Sequence, residues 1–276
     1  MQLDPTAIEA EVRLKTLAAI GSTNAQARLW AQRGERGPLW ITATAQSEGR
    51  GRHGRAWISP PGNLYASLLL SDPSPFEHAP QLAFVAALAL RDAIVAEAAA
   101  LTPQLAFKWP NDLLLAGDKC AGILIEGDAA LDGEEAQAPK RLTVIVGIGV
   151  NCTSHPPRSS GTGSFPATDL QAHGAEIMPA QLFRRLSATM CRRLAQWDRS
   201  HGFAAILADW LACARGIGEQ ITVRNNGAEV QGRFVGLDQA GRLLLELRNG
   251  TLTKISAGDV FPLAVHGPRR IADRPG

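Results

Sequence analysis

The stretch EGRGRHGRAW, residues 48–57, admits three readings, and each implies a different fold. Gly49, Gly51 and Gly54 fall on the G-x-G-x-x-G spacing of a dinucleotide-binding turn. Arg50, Arg52 and Arg55 crowd three guanidinium groups into six positions, as a nucleic-acid patch would. The dinucleotide reading requires a helix directly after the glycines, because the pyrophosphate sits on that helix's amino end. Here the loop runs into AWISPPGN, and Pro60 and Pro61 forbid a regular helix there. Asp72 lies near the expected acidic position, but on a Pro-rich turn after a strand. There is no G-x-x-x-x-G-K-[ST] either, which excludes a P-loop enzyme. Lys+Arg 28 against Asp+Glu 26 is too balanced for a general nucleic-acid binder. About 20 residues precede Ser22, against the roughly 60 of a helix-turn-helix domain. What remains is a flexible loop whose glycines let backbone amides approach an anion and whose arginines supply forked donors. Phosphate or pyrophosphate fits it; a solvated basic loop is the alternative.

The 276 residues, 45% hydrophobic, exceed one compact domain of ordinary size, so a large and a small domain are expected. No run reaches the ~18 apolar residues of a membrane span; the most apolar, QLAFVAALAL, stops at Arg91. The amino terminus carries acids and no apolar core, unlike a secretory signal. Cys120, Cys152, Cys191 and Cys213 form no C-x-x-C pair and no metal spacing. They read as free thiols in a reducing cytoplasm.

The element pattern alternates helix and strand, then turns to strand alone. Thr23 and Gln26 have capping-box spacing, predicting a helix from Thr23 to about Gly34. LWITATAQ (39–46) and NLYASLLLS (63–71) read as strands, joined by the Gly/Arg loop. Residues 79–100 have the spacing of a helix with one buried face. QLAFKWP (104–110) is a strand stopped by Pro110. LLLAGDKCAGILIEG (113–127) reads as two strands about a turn at Gly117–Asp118, and LTVIVGIGVNC (142–152) as a strand. Residues 127–140 are an acidic surface insertion and 159–168 a loop. PAQLFRRLSATMCRRLAQW (179–197) and FAAILADWLACA (203–214) are helices. After Arg215, QITVRN, EVQGRFVGLD, RLLLELRNG and LTKISAGDVF are short strands split by Gly turns, as in a small β barrel or sandwich.

A second constellation lies in KWPNDLLLAGDKCAGILIEG, residues 108–127. Lys108 and Lys119 flank an Asn-Asp turn, and Lys119 shares a strand with Gly122, where backbone can approach a ligand closely. A hairpin with exposed lysines is the plain alternative. Taken together, STN (22–24), GRGRHGRAWISPPGNLY (49–65), KWPNDLLL (108–115), KCAGILIE (119–126) and VIVGIGVN (144–151) occur in the order and spacing of the biotin–protein ligases. The chain closely resembles that family from about residue 14 to about residue 264.

The resemblance implies an α/β (α+β) fold: a mixed-sheet catalytic domain, 1–213, similar to the core of class II aminoacyl-tRNA synthetases. A small SH3-like β barrel, 214–266, would follow it, and then a disordered tail, 267–276. It implies that biotin's carboxylate attacks the α-phosphate of ATP with Mg²⁺, giving biotinyl-5'-AMP and pyrophosphate. A lysine of a biotin carboxyl carrier protein, from acetyl-CoA carboxylase or another biotin-dependent carboxylase, would then take the biotinyl group. A monofunctional ligase without the DNA-binding domain of bifunctional members is expected, cytoplasmic, binding neither DNA nor membrane, as a monomer or homodimer.

Residue by residue, Ser22, Thr23 and Asn24 match the start of the biotin pocket, where a helix cap is the alternative and compatible role. Gln46 matches a pocket glutamine. Gly49, Arg50 and Arg52 match the biotin and adenylate loop, and Arg55 and Trp57 its nucleotide side, with Trp57 alternatively a core aromatic. Lys119 matches the cation bridging carboxylate and α-phosphate. Asp112 would hold Mg²⁺ or orient Lys119. Lys108 is structural or touches phosphate, Gly122 lets ligand lie on the strand, and Asn151 is near the ribose and base or is a turn residue. The sequence departs from the family at His53, where arginine is frequent, in the tighter PPGNLY link, and in the longer 127–140 insertion. The rival readings are a lipoate or octanoate ligase or transferase of related fold, and a biotin-binding protein without catalysis.

Overall fold

The computed structural model describes residues 1–128, 142–157, 166–225 and 228–262. The 127–140 insertion beyond Asp128, most of the 159–168 loop and the 267–276 tail lie outside them. A seven-stranded mixed sheet has the order β1-β2-β3-β7-β6-β5-β4. Its strands are β1 (Arg13–Ile20), β2 (Leu39–Gln46), β3 (Leu64–Ser71), β4 (Leu105–Lys108), β5 (Asp112–Leu115), β6 (Asp118–Asp128) and β7 (Thr143–Val150). β1 and β2 run parallel; every other neighbour is antiparallel.

The two faces of this sheet have different work, and strand alternation separates them. Leu64, Ala66, Leu68, Val144, Val146, Ile148 and Val150 point to one side, where they meet α3 (Leu82–Glu97), α4 (Pro179–Trp197) and α5 (Phe203–Leu211) in the main core. Leu39, Ile41, Leu69 and Ile145 point to the other, beneath Ala27 and Ala31 of α2 (Thr23–Gln32). α2 covers only part of that face. Past its amino end the register continues as Ser67↔Gly147, Tyr65↔Gly149 and Gly122↔Gly149. Three glycines there leave the sheet bare.

The carboxyl-terminal strands β8 (Gln220–Asn225), β9 (Ala228–Leu237), β10 (Leu243–Glu246), β11 (Leu252–Ile255) and β12 (Asp259–Pro262) form a five-stranded antiparallel sheet, order β11-β10-β9-β8-β12. Its Ile221, Val223, Phe234, Leu243 and Leu245 join the main core. Gly241 lets its backbone press against Phe84, and its carbonyl accepts from the Trp109 indole at 3.0 Å.

Several boundaries differ from those the sequence predicts. Ser22, not Thr23, caps α2, with its hydroxyl accepting from the Ala25 amide at 3.4 Å; Thr23 is turned inward. The long apolar helix spans 82–97, entered through a 3-10 turn at Phe76–Gln81 in which Pro80 lies. The β5–β6 turn sits at Ala116 and Gly117, both at positive φ. LTKISAGDVF is two strands, β11 and β12. Two elements have no counterpart in the sequence pattern: the short α1 (Pro5–Glu9) and β1, whose residues are mostly exposed at the sheet edge and lack an alternating pattern. The stretch Phe76–Glu97 is long and apolar enough to cross a membrane by length and composition, but 72% of its most apolar window is buried inside the protein.

All four cysteines are free. Burial pushes the Cys120 and Cys152 thiols up to about 12, which suppresses the reactive thiolate. Alkylation of the native protein at pH 8 should therefore modify Cys213 and Cys191 and spare Cys120 and Cys152 until denaturant is added. Peptide mass spectrometry checks this; rapid native labelling of Cys120 or Cys152 would contradict their burial.

Candidate active site

The bare glycines floor a cavity of about 890 Å³, within the usual range for small-molecule sites. A side chain at Gly147 would strike the Asn24 amide at 2.3 Å, and one at Gly149 the Trp57 indole at 2.6 Å. One at Gly122 would meet both Lys119 and Trp57 at 3.3 Å. The glycines are required by what lies on them. Of the residues singled out from sequence, Ser22, Thr23, Asn24, Gln46, Arg50, Arg52, Arg55, Trp57, Asp112, Lys119, Gly122 and Asn151 line this cavity. Gly49 and Lys108 do not; both act from just behind it.

One end is lined mainly by uncharged polar groups. Ser22, Thr23 and Asn24 start α2 and are buried. Gln46 accepts the Thr23 amide on Oε1 at 2.8 Å and donates to Ser59 Oγ at 3.0 Å, tying the helix start to the chain after the loop. Ser67, fully buried on β3, reaches Thr23 Oγ1 at 2.7 Å and Asn24 Oδ1 at 2.5 Å. Asn24 Nδ2 donates to Glu126 at 2.7 Å.

The opposite end is cationic. Asp112 and Lys108 are cross-strand partners, as are Asp112 and Gly122, so all three share a face. Lys119 is three residues from Gly122 and by alternation would face the other way. A β-bulge intervenes: Leu113 pairs with Ala121 but Leu114 with Lys119. Cys120 and Ala121 both enter the core, and Lys119 is returned to the cavity. Its ammonium lies 2.5 Å from Asp112 Oδ1, and that of Lys108 lies 3.3 Å from Oδ2. Burial alone would raise the Asp112 carboxyl, but the two ammonium groups outweigh it and hold it below the usual carboxylate range. Burial also lowers Lys108 against the attraction of Asp112. Lys108 and Lys119 share this one carboxylate, and Lys119 is the more accessible of the two.

The Gly/Arg loop is a hairpin over this cavity. Gly51 N donates to Arg55 O at 2.7 Å and Trp57 N to Gly49 O at 2.8 Å. Gly49 is packed so closely on Trp57 O that a side chain would be 2.4 Å away. The tip turns through His53 and Gly54, both left-handed. Arg50 reaches Glu126 at 3.2 Å. Arg52 donates to Asn111 Oδ1 and Gly258 O at 3.2 Å, and Arg55 pairs with Asp259. The loop thus bridges the main sheet and the carboxyl-terminal one. The Trp57 ring lies on the glycine floor, 5.4 Å from the Lys119 ammonium, and its buried indole Nε1 has no hydrogen-bond partner among the described residues. Asn151 donates to Thr168 O at 2.9 Å and thereby holds the segment flanking Lys119.

Glu126 and Ser67, which bond to residues lining the cavity, and Asn111 and Asp259, which line it, are not singled out by the sequence pattern. The first two carry a faint signal, polar groups on the glycine-bearing face of otherwise apolar strands; Asp259 carries none, because its partners Arg52 and Arg55 are about 200 residues away in the chain. Among the described residues no three His, Cys, Asp or Glu cluster as metal ligands. Asp112 faces ammonium groups on both oxygens, an arrangement that orients Lys119 rather than offering a cation an open ligand.

This geometry has counterparts. The model of the biotin/lipoate A/B protein ligase family matches residues 17–151, and that of the biotin protein ligase C terminal domain matches 216–261. The biotin--[acetyl-CoA-carboxylase] ligase of Paracoccus denitrificans is 40% identical over 247 residues, covering 89% of this chain and 98% of that protein. This chain belongs to the biotin–protein ligase family. The bifunctional ligase/repressor BirA of Bacillus subtilis is 35% identical over 222 residues, 80% of this ligase-family chain and 65% of that protein. The biotin protein ligase of Aquifex aeolicus, solved with biotin and ATP, superposes with a TM-score of 0.72 at 25% identity, covering 90% of this chain and 97% of that one.

Gly147→Ala should force Asn24 off the floor and destabilise the fold by ~1–3 kcal/mol, the usual cost of overpacking. Chemical denaturation measures it; an unchanged midpoint would show that Asn24 has room to move.

Proposed function

We propose that this chain joins biotin to a protein lysine in two steps driven by ATP. The observation that carries the reading is Lys119 lying over Gly122, in one cavity with the Gly/Arg loop and the polar start of α2. Family membership and the likeness to a ligase holding biotin and ATP support it.

In the first step a carboxylate oxygen of biotin attacks the α-phosphorus of ATP. The bond from that phosphorus to the bridging oxygen breaks, and pyrophosphate leaves. Two anions must meet, so the barrier falls wherever fixed cations cancel the repulsion as charge develops. Lys119 is placed to contact both reactants. Its charge is not consumed by Asp112, because Lys108 shares that carboxylate. Arg50, Arg52 and Arg55 are presented on one hairpin toward the phosphates. Magnesium would travel with the nucleotide's phosphates and neutralise them. In the second step the amine of the carrier lysine attacks the acyl carbon of the adenylate. AMP leaves, and the nitrogen loses a proton to form the amide. The adenylate hydrolyses readily, and the Gly/Arg hairpin and Trp57 shield the floor from water.

The carrier is the biotin carboxyl carrier domain of acetyl-CoA carboxylase or of another biotin-dependent carboxylase. The free thiols support a reducing, cytoplasmic setting. A lipoate substrate is disfavoured by the polar pocket end: an apolar dithiolane ring would leave the remaining hydrogen-bonding capacity of Ser22, Thr23 and Asn24 unused, a basis for rejection.

The test is pyrophosphate release with ATP, Mg²⁺ and either biotin or lipoate, with and without a carrier domain, alongside mass spectrometry of the carrier. Biotin should give pyrophosphate and a carrier heavier by one biotinyl group. Lys119→Ala should slow adenylate formation by about 10²–10³-fold while leaving the melting curve cooperative. Turnover with lipoate alone would transfer the reading to the lipoate ligases.

A further inference from the structure

Behind the polar end of the cavity, bonded to the Asn24 that lines it, lies a carboxylate for which the two chemical steps have no role. Glu126 lies on β6, with Ile145 as its cross-strand neighbour. It accepts from Asn24 Nδ2 at 2.7 Å, from Arg28 at 3.3 Å, and from Arg50 at 3.2 and 3.3 Å. Two elements converge on it: α2, through Asn24 and Arg28, and the Gly/Arg hairpin, through Arg50.

An ionised carboxylate can only accept hydrogen bonds. That fixes how the Asn24 amide is turned and where Ser67 sends its proton. Asn24 must turn its amide nitrogen to Glu126, which turns Oδ1 toward Ser67. Ser67 has one hydroxyl proton and must direct it to Asn24 Oδ1, 2.5 Å away. Thr23 Oγ1 lies 2.7 Å from Ser67 Oγ and 3.1 Å from Gln46 Oε1, so its single proton is shared between two acceptors. Gln46 Oε1 also accepts the Thr23 amide at 2.8 Å. Three capacities stay open toward the cavity: the second N–H of Asn24, the lone pairs of Thr23 Oγ1, and the hydroxyl proton of Ser22. Donors and an acceptor side by side are what a cyclic urea requires, since its carbonyl accepts and its N–H groups donate. A neutral group at 126 would let the chain of bonds run in either direction.

We propose that Glu126 is a positioning residue that sets the donor–acceptor polarity of the ureido end of the pocket and, through Arg50, ties that end to the Gly/Arg hairpin. The inference rests on the proposed biotin ligation. It assigns Glu126 to recognition of the acid substrate and not to phosphoryl transfer.

The experiment is steady-state kinetics of the full chain with biotin, ATP and a carrier domain, for the wild type, Glu126→Gln, Glu126→Ala, Ser67→Ala and Arg28→Ala. Loss of a charged hydrogen-bond anchor should raise the KM for biotin about tenfold or more in both Glu126 variants. The KM for ATP should rise less than that for biotin, because Arg52, Arg55 and Lys119 keep their own partners. Ser67→Ala, which breaks the same chain one bond further on, should raise the biotin KM as well. Arg28→Ala should leave it unchanged, because Arg28 touches Glu126 but not the chain of polar bonds. Glu126→Gln keeps the side chain's size and so tests the idea even if Glu126→Ala folds poorly. A wild-type biotin KM in Glu126→Gln overturns the inference. So does an Arg28→Ala variant that reproduces the Glu126 effect, since the role would then be the packing of α2 on β6. Absence of biotin turnover in the wild type overturns the parent reading, and this one falls with it.

Discussion

The site exists because three positions on two neighbouring strands have no side chain. Sheet geometry obliges every residue to project to one face or the other, and a central strand's residues ordinarily fill both. Gly122 and Gly149 sit opposite one another, and Gly147 follows on the same face. The opposite face of these strands is closed by the large helices and packed with Val and Ile. A cavity is therefore open on one side of a rigid floor. Asn24 at one end, Trp57 in the middle and Lys119 at the other rest directly on it.

Charge is handled in a consistent way above that floor. The cations the chemistry requires each have a carboxylate nearby: Lys119 and Lys108 have Asp112, Arg50 has Glu126, and Arg55 has Asp259. Such pairs hold long side chains in place without neutralising them all. Exposed pairs such as Arg55–Asp259 contribute little stability in water, so they can be exchanged for phosphate. The buried Asp112 pair is different in kind. Removing one partner there leaves a desolvated charge, so Lys119 is anchored as firmly as the fold itself. The carboxyl-terminal sheet belongs to this arrangement, since Gly258 and Asp259 grip the hairpin that carries the arginines.

What is legible in the sequence is local. The hairpin glycines and arginines, the Ser-Thr-Asn helix start and the two lysines about an Asn-Asp turn are short patterns whose residue types already state a chemistry. What is not legible depends on pairing. β1 leaves no pattern because an exposed edge strand need not alternate. Thr23 has the spacing of a cap, but tertiary partners on β2 and β3 claim it and the cap falls to Ser22.

By itself the sequence determined that a Gly/Arg loop precedes a lysine-bearing glycine strand, that no dinucleotide helix follows the loop, and that a strand-only region follows Arg215. Those follow from residue type and nearest neighbours. Only the tertiary structure decided that Lys119 faces the ligand. Strict alternation from Gly122 sends that lysine into the core, and a single bulge, visible only in the β5–β6 register, brings it back. The same holds for Glu126 and Asp259. Their meaning lies in which distant side chains they meet, and contact across a sheet or between two sheets is fixed by register and packing, which no local pattern records.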